Sequence, residues 1–279
     1  MSRILITGAN GFLGREAINY FSGKKGHTIF PGTRLQPDLL DPDAVKTYMA
    51  INKIDTIIHT AIQYGEKISD LIANLTMYEN LAQCATQDVL MIYYGSGAEY
   101  DHTKDVHIAT EEEVTNRIPA NYYALAKNLM TRETLNSEKN IINLRLFGCF
   151  GPKERDTRFI ANAIKCVIEN NPIRIHQNRE MDFMYVGDIM KVTEYVLENT
   201  SAGKINGHSD INMCYKNKLS LLDIANLICY TIDSEVPIII EDPLVTAPTY
   251  TGDSTRLYEL GLEFFGMEEG IKEVYDGNR

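Results

Sequence analysis

Tyr122-Tyr123-Ala124-Leu125-Ala126-Lys127 sets a phenol four residues before an amine. In a helix this spacing puts Tyr123 and Lys127 on one face, one turn apart. Tyr122 is five residues from Lys127 and is rotated off that face. The surrounding segment, from about 121 to 136, reads as helix. A tyrosine ionises near pH ~10 when nothing perturbs it. To exchange a proton near neutrality it needs a positive charge beside it. Lys127 supplies that charge and has donors to spare for a ribose hydroxyl. Taken alone, the pattern also fits an exposed amphipathic helix, so the elements around it have to decide.

Those elements begin at the first residue. Ser2-Arg3-Ile4-Leu5-Ile6-Thr7 is a short apolar run rich in β-formers. Gly8-Ala9-Asn10-Gly11-Phe12-Leu13-Gly14 follows, and then the helix-like Arg15-Glu16-Ala17-Ile18-Asn19-Tyr20-Phe21. The order is strand, glycine turn, helix. Gly8 permits the sharp turn, Gly11 leaves the backbone open to a pyrophosphate, and Gly14 lets helix and sheet pack closely. The helix N-terminus then faces the phosphates. A tight turn with no ligand is the plainer alternative. The spacing is Gly-x-x-Gly-x-x-Gly after a Thr, and Thr7-Gly8-Ala9-Asn10-Gly11-Phe12-Leu13-Gly14 resembles the nucleotide loop of the extended short-chain dehydrogenase/reductase family, of NAD-dependent epimerase/dehydratase type. The resemblance implies that Gly8, Asn10, Gly11, Phe12, Leu13 and Gly14 line the cofactor.

Composition is compatible with such a protein. A chain of 279 residues holds one large domain or two modest ones. No apolar run is long enough to span a membrane, and the first residues already read as a strand rather than a secretory leader, so a cytoplasmic location is expected. Five scattered cysteines without a Cys-x-x-Cys pair indicate neither a disulfide framework nor a metal site. A net charge of −11 argues against non-specific nucleic-acid binding.

Residues 27–33 read as the second strand. Its tip, Phe30-Pro31-Gly32-Thr33-Arg34, carries no acid for a ribose 2′-hydroxyl, and Arg34 favours a 2′-phosphate, hence NADP over NAD. A surface arginine is the alternative. Asp38-Leu39 resembles the family's pair beside the adenine, while Asp41 before Pro42 suits a helix cap. Asp55-Thr56-Ile57-Ile58-His59-Thr60-Ala61 is a buried strand by composition. Its end resembles the family's His-x-Ala-Ala, which places Thr60 and Ala61 beside the cofactor and His59 in a structural role. Residues 66–86 read as a long helix, where Asn74 falls at the family's strand-steadying Asn. A fourth strand over 88–94 leads into Gly95-Ser96-Gly97-Ala98-Glu99-Tyr100.

The resemblance implies a third catalytic partner in that loop, a Ser or Thr four residues before a Tyr. Ser96 and Tyr100 fit, and the Ser96 hydroxyl can bond a substrate carbonyl oxygen. The family's 4,6-dehydratases resemble Thr-Asp-Glu-x-Tyr here. Gly97 and Ala98 occupy the two acid positions, and Glu99 is one residue late and should point elsewhere, which disfavours dehydration. Residues 141–147 form the next buried strand. Arg145-Leu146-Phe147-Gly148-Cys149-Phe150-Gly151-Pro152 resembles the family's Arg-x-Phe-Asn-x-Tyr-Gly-Pro, with Phe147 near the nicotinamide and Gly148 in place of the substrate-contacting Asn. Later, Met181-Asp182-Phe183-Met184-Tyr185-Val186-Gly187-Asp188 resembles Arg-Asp-Phe-x-x-Val-x-Asp. Arg158, Lys153 and Arg174 are candidates for the substrate diphosphate, though each also suits a solvated surface.

The expectation is an α/β chain: a Rossmann-type doubly wound parallel sheet with a small C-terminal α/β substrate lobe. Residues 1–152 would bind the dinucleotide and 153–279 the substrate, with about 183–198 returning to the first part. The implied activity is NADPH-dependent reduction of a nucleotide-linked 4-keto-6-deoxy sugar, similar to the family's dTDP-4-dehydrorhamnose reductases. Ser96, Tyr123 and Lys127 would be catalytic, and Lys127 would also hold the cofactor ribose. The alternatives are an NAD-dependent nucleotide-sugar 4-epimerase and a non-catalytic NADP(H)-sensing protein. The family analogy adds a homodimer through the helices at 66–86 and 121–136.

Overall fold

The computed structural model describes residues 2–33, 36–200, 202–245 and 247–278. In chain order its elements are β1 Ser2–Thr7, α1 Phe12–Ser22, β2 His27–Gly32, α2 Pro42–Asn52, β3 Thr56–His59, α3 Ile68–Ala82, β4 Leu90–Ser96, β5 Val106–Ala109, α4 Tyr122–Leu135, β6 Ile141–Leu146 and β7 Cys149–Phe150. Then come α5 Phe159–Ile168, β8 Ile173–Ile175, β9 Met184–Tyr185, α6 Val186–Asn199, β10 Asp210–Met213, α7 Leu221–Ile232, β11 Ile238–Ile240, β12 Tyr250–Gly252, α8 Thr255–Tyr258 and α9 Gly266–Gly277. A 3₁₀ turn, Gly97–Tyr100, continues β4.

Six strands form one sheet in the order β10-β6-β4-β3-β1-β2. β1 pairs in parallel with β2 and with β3, and β3 in parallel with β4. The chain therefore runs outward in both directions from β1 and β3, and the crevice at such a reversal is where doubly wound sheets bind ligands. β3 and β4 are buried at every position, as expected of strands covered on both faces. Leu5, Ile57 and Met91 from the sheet pack with Val45, Leu81 and Met130 from α2, α3 and α4. α1 buries Gly14, Ala17 and Phe21, the stripe of an amphipathic helix. Asp41 caps α2 by accepting from the Asp43 and Ala44 amides, with Pro42 in the first turn, as predicted.

The chain divides into two compact units. The first comprises 1–101, 112–145 and 190–211, and the second 102–111, 146–189 and 212–279. The second unit is made of short strand pairs, β5 with β12, β7 with β9 and β8 with β11, all parallel, together with α5, α7 and α9. Its polar anchors are Asp182 and Asp188. Asp182 accepts from Lys218 and from the Gly252 amide, both at 2.8 Å. Asp188 accepts from the Phe265 and Gly266 amides at the start of α9 and from the Tyr215 hydroxyl. No helix among the described residues is long and apolar enough to cross a membrane.

Two features differ from the sequence reading. β4 runs on through Gly95 and Ser96 instead of ending at Tyr94. Gly95 is there for space: a Cβ would lie 2.3 Å from Asn143 Oδ1 and 2.5 Å from Glu99 Oε1. The sixth strand, β10, has no counterpart in that reading, which assigns nothing to Asp210-Ile211-Asn212-Met213. Its polar side chains are in fact buried and paired. Asp210 accepts from Arg145 Nη2 at 2.8 Å, while Arg145 Nε donates to Glu99 at 2.7 Å. None of these three side chains is more than 2% exposed. Removing one partner of such a group strands a buried charge. Asp210→Ala is therefore expected to cost about 3–5 kcal/mol of stability, read from urea unfolding of the full chain.

Candidate active site

The glycine turn between β1 and α1 is shaped by contact with the end of β3. Gly8 has a φ of +69°, and a Cβ on it would lie 2.7 Å from Ala61 N and from Thr60 Oγ1. A Cβ on Gly14 would lie 2.2 Å from the Gly8 carbonyl oxygen. Gly11 is the N-cap of α1 and offers no side-chain cap to the first-turn amides. Uncapped amides at a helix start, with no side chain before them, suit a phosphate. The residues present thus fit the pyrophosphate of a dinucleotide. Asn10 is exposed, with its carbonyl accepting from Arg15, and Phe12 and Leu13 are half-buried.

Thr7 explains why this turn follows a threonine. Its hydroxyl accepts from the Thr60 and Ala61 amides at 3.2 and 3.3 Å and lies 2.8 Å from His59 Nδ1. A hydroxyl that accepts twice has one hydrogen to donate. It goes to Nδ1, so the His59 proton sits on Nε2. Burial, reinforced by the Lys127 charge, pushes the His59 pKa down to about 3. His59 is thus a neutral structural residue. Beyond it, Asn74 grips Gln63 by both backbone groups, accepting from its amide at 2.8 Å and donating to its carbonyl at 2.9 Å.

Asn121 caps α4 by accepting from the Ala124 amide at 2.7 Å, which sets the helix start just ahead of Tyr123. Lys127 is buried and donates to the Tyr94 carbonyl on β4 at 2.7 Å. Burial lowers its pKa to about 8, with Glu99 pulling the other way. Ser96 ends β4, and its hydroxyl accepts from the Ala98 amide at 3.2 Å, keeping its hydrogen available to donate. Tyr123 is half-buried, its ring stacked on that of Tyr64. The fold thus packs α4 on β4 and on the turn that follows Ser96.

Glu99 does point elsewhere, into the interior. One carboxylate oxygen accepts from the Ser96 amide at 2.8 Å, the other from Arg145 and from the Thr131 hydroxyl. Asn128, one residue after Lys127, donates to the Glu99 and Val114 carbonyls, both at 2.9 Å. The Ser-x-x-Glu spacing of Ser96 and Glu99 is the sequence sign of a capping box, and it marks this role where the dehydratase comparison alone does not. Asn128 and Thr131 carry no such sign.

The remaining predicted residues are placed as follows. Arg34 lies outside the described residues. Asp38 is exposed and accepts from the Leu40 amide at 3.0 Å, and the buried Leu39 offers its carbonyl to Asn80. In the second unit, Phe147 is buried edge-on to Tyr250. Gly148 is a steric requirement, since a Cβ would lie 2.8 Å from the Asp182 carbonyl oxygen. Arg158 begins α5 and pairs with Glu154, whose pKa burial raises to about 7 against the pull of Arg158. Arg174 is exposed on β8 and lies 3.8 Å from Glu241. An open cavity of about 800 Å³ in this unit is lined by rings such as Tyr215, Tyr258 and Phe264. Its lining includes Glu263 and Glu268 but neither arginine, with Lys216 as its one basic side chain among the described residues, which is poor chemistry for a diphosphate.

The threonine hub generates a test. Thr7→Val keeps the shape but strands two amides and an imidazole nitrogen. Its expected cost is at least about 2 kcal/mol in urea unfolding, with Thr7→Ser close to wild type.

Residues 4–214 match the sequence model of the NAD dependent epimerase/dehydratase family. GDP-L-colitose synthase of Yersinia pseudotuberculosis is 25% identical, covering 98% of this chain and 96% of its own length. Methionine adenosyltransferase 2 subunit beta of Xenopus tropicalis is 26% identical, covering 93% of this chain and 83% of its own. Among solved structures, a GDP-D-glycero-L-gluco-heptose synthase from Campylobacter jejuni, crystallised in the presence of NADPH, superposes with a TM-score of 0.80 at 17% identity, over 99% of this chain and 97% of that one. A glycine turn shaped for a pyrophosphate, a buried lysine behind a helix-borne tyrosine and a family match over most of the chain agree: the chain belongs to the NAD-dependent epimerase/dehydratase family and is an NAD(P)-dependent oxidoreductase of the extended short-chain dehydrogenase/reductase type.

Proposed function

We propose that this protein uses NADPH to reduce the C4 keto group of a nucleotide-linked 4-keto-6-deoxy sugar. The observation that carries the reading is the state of the loop after β4. Gly97 and Ala98 bring no acid or base to it, and the carboxylate that follows them, Glu99, is spent on Arg145 inside the fold. Loss of water from a sugar needs an acid and a base in place. Reduction of a ketone needs a proton donor and an oriented carbonyl, and Tyr123 and Ser96 are the groups to provide them. Similarity to two proteins named for GDP-linked sugars makes a GDP-linked substrate the first choice.

The bound dinucleotide supplies the hydride. The turn from Gly8 to Gly14 would hold its pyrophosphate, Asp38 and Leu39 its adenine, and Arg34 its 2′-phosphate, which gives NADP precedence over NAD. Thr60 and Ala61 would flank its reactive end. Lys127 has three donors in its charged form. One is held by the Tyr94 carbonyl, and the others are for the ribose. Its charge favours the phenolate left when Tyr123 protonates the new alkoxide. Ser96 would donate its hydroxyl hydrogen to the same oxygen and hold the carbonyl for attack.

A second reading has one observation behind it. Similarity to a chain named as a subunit of methionine adenosyltransferase, not as a sugar-modifying enzyme, keeps a non-catalytic NADP(H)-sensing protein as that reading. Two measurements separate the readings. With GDP-4-keto-6-deoxy-D-mannose, NADPH should be consumed in proportion to substrate. Tyr123→Phe should lose about 10²–10⁴ in kcat while NADPH affinity holds. An unchanged rate in that variant sinks the assignment of Tyr123. Tightly bound NAD with no net consumption favours the 4-epimerase. The pH dependence has a definite sign as well. Lys127 is charged below about pH 8 and neutral above it, so kcat/KM should fall as pH rises through that value.

A further inference from the structure

Tyr64 is 66% exposed, yet its backbone is held tightly on both sides. The preceding residue, Gln63, is gripped through its amide and carbonyl by the side chain of Asn74, itself buried on α3. The following residue, Gly65, lies so close to Asp70 that a Cβ there would sit 2.1 Å from its Oδ2. The same carboxylate accepts from the Lys67 amide at 3.0 Å. The segment 63–67 is therefore fastened to the first two turns of α3 at Gln63 and Lys67, with Gly65 packed against Asp70 between them. From it the Tyr64 ring lies over that of Tyr123, with centroids 5.9 Å apart and planes 23° from parallel. Offset, near-parallel packing of this kind is a favoured arrangement for two aromatic rings.

We propose that Tyr64 is a positioning residue for Tyr123: its ring, carried on the fastened 63–67 segment, fixes the plane of the Tyr123 phenol and keeps water off one of its faces. The proposal rests on the reading of Tyr123 as the proton donor. A phenol on a helix surface otherwise turns about its side-chain bonds, and proton transfer demands a donor within hydrogen-bond reach of the reacting oxygen. A covered face narrows that motion. It also removes water that would screen Tyr123 from the Lys127 charge. The contact is between the rings, so Phe should replace Tyr64 and Ala should not.

The test uses the full chain as wild type, Tyr64→Ala, Tyr64→Phe and Tyr123→Phe, each labelled with 3-fluorotyrosine. The Tyr123 fluorine resonance is the one that Tyr123→Phe removes. In Tyr64→Ala this resonance should move and the midpoint of its pH titration should shift, while Tyr64→Phe stays close to wild type. Initial rates with GDP-4-keto-6-deoxy-D-mannose and NADPH should show Tyr64→Ala losing about tenfold in kcat at nearly constant KM, with Tyr64→Phe retained. The thermal midpoint should not change, because Tyr64 is exposed. An unmoved Tyr123 resonance in Tyr64→Ala overturns the proposal. So does a raised KM at unchanged kcat, which makes Tyr64 a substrate contact. If Tyr123→Phe keeps full activity, the reading of Tyr123 as donor is what fails. If the wild type does not turn over this sugar, the fluorine titration decides alone.

Discussion

Arg145 is the constraint around which the first unit is arranged. Its side chain is fully buried at the end of β6, and a charge removed from water costs several kcal/mol unless it is paired and hydrogen-bonded. Burial opposes its charge, and Tyr100, Glu99 and Asp210 together hold its pKa well above the ordinary value. Satisfying one guanidinium thus requires the turn after β4 on one side and β10 on the other to be in register with β6. Glu99 passes the constraint on. Its second oxygen accepts the Ser96 amide, so the residue that ends β4 is placed by an ion pair beneath it. Thr131 and Asn128, on α4, join the same network and fix the helix that carries Tyr123 and Lys127. Ser96 ends β4 while Tyr123 and Lys127 share α4, and one buried polar cluster indexes both elements.

A second, smaller hub does the same for the nucleotide turn. The Thr7 hydroxyl ties the end of β1 to the end of β3, and Gly8 and Gly14 then pack where any side chain would collide. The two hubs share a logic. Loops that hold ligands lack the regular ladders of strands and helices, and their backbone amides need other partners. Here the partners are polar side chains on neighbouring elements, Thr7 for residues 60 and 61, Asn74 for 63 and Asp70 for 67, and at the last two residues of β4 Asn143 and Glu99 serve in the same way.

This division also explains what the sequence made legible. Periodicity and turn chemistry exposed β1, the glycine turn, β3, α3, α4 and β6, because each is defined by local pattern: apolar runs, spaced glycines, Asp41 before Pro42. Local pattern also nominated Tyr123 and Lys127. It failed where the deciding interaction is long-range and polar. β10 is four residues long, two of them polar, and no local pattern assigns it; its Asp210 is interior because of Arg145, 65 residues earlier. Gly95 reads as a turn and is a strand residue making room for Asn143. Tyr64 reads as nothing, since no spacing links it to Tyr123. A buried hydrogen bond between distant residues leaves no period in the sequence.

Glu99 shows how far that matters for chemistry. A carboxylate beside a candidate catalytic serine invites an acid–base role, and the sequence can argue only that it is one position out of place. The structure supplies the energetic reason. A carboxylate that is fully buried, bonded to a guanidinium, a hydroxyl and a backbone amide has its acceptor sites committed to the fold. Turning it outward would strand Arg145 at a cost of several kcal/mol, comparable to the whole stability of many domains. No modest rearrangement on substrate binding recruits it. On the proposed reading the proton donor comes instead from α4, where Tyr123 stands one turn before Lys127, a buried lysine whose pKa burial lowers to about 8.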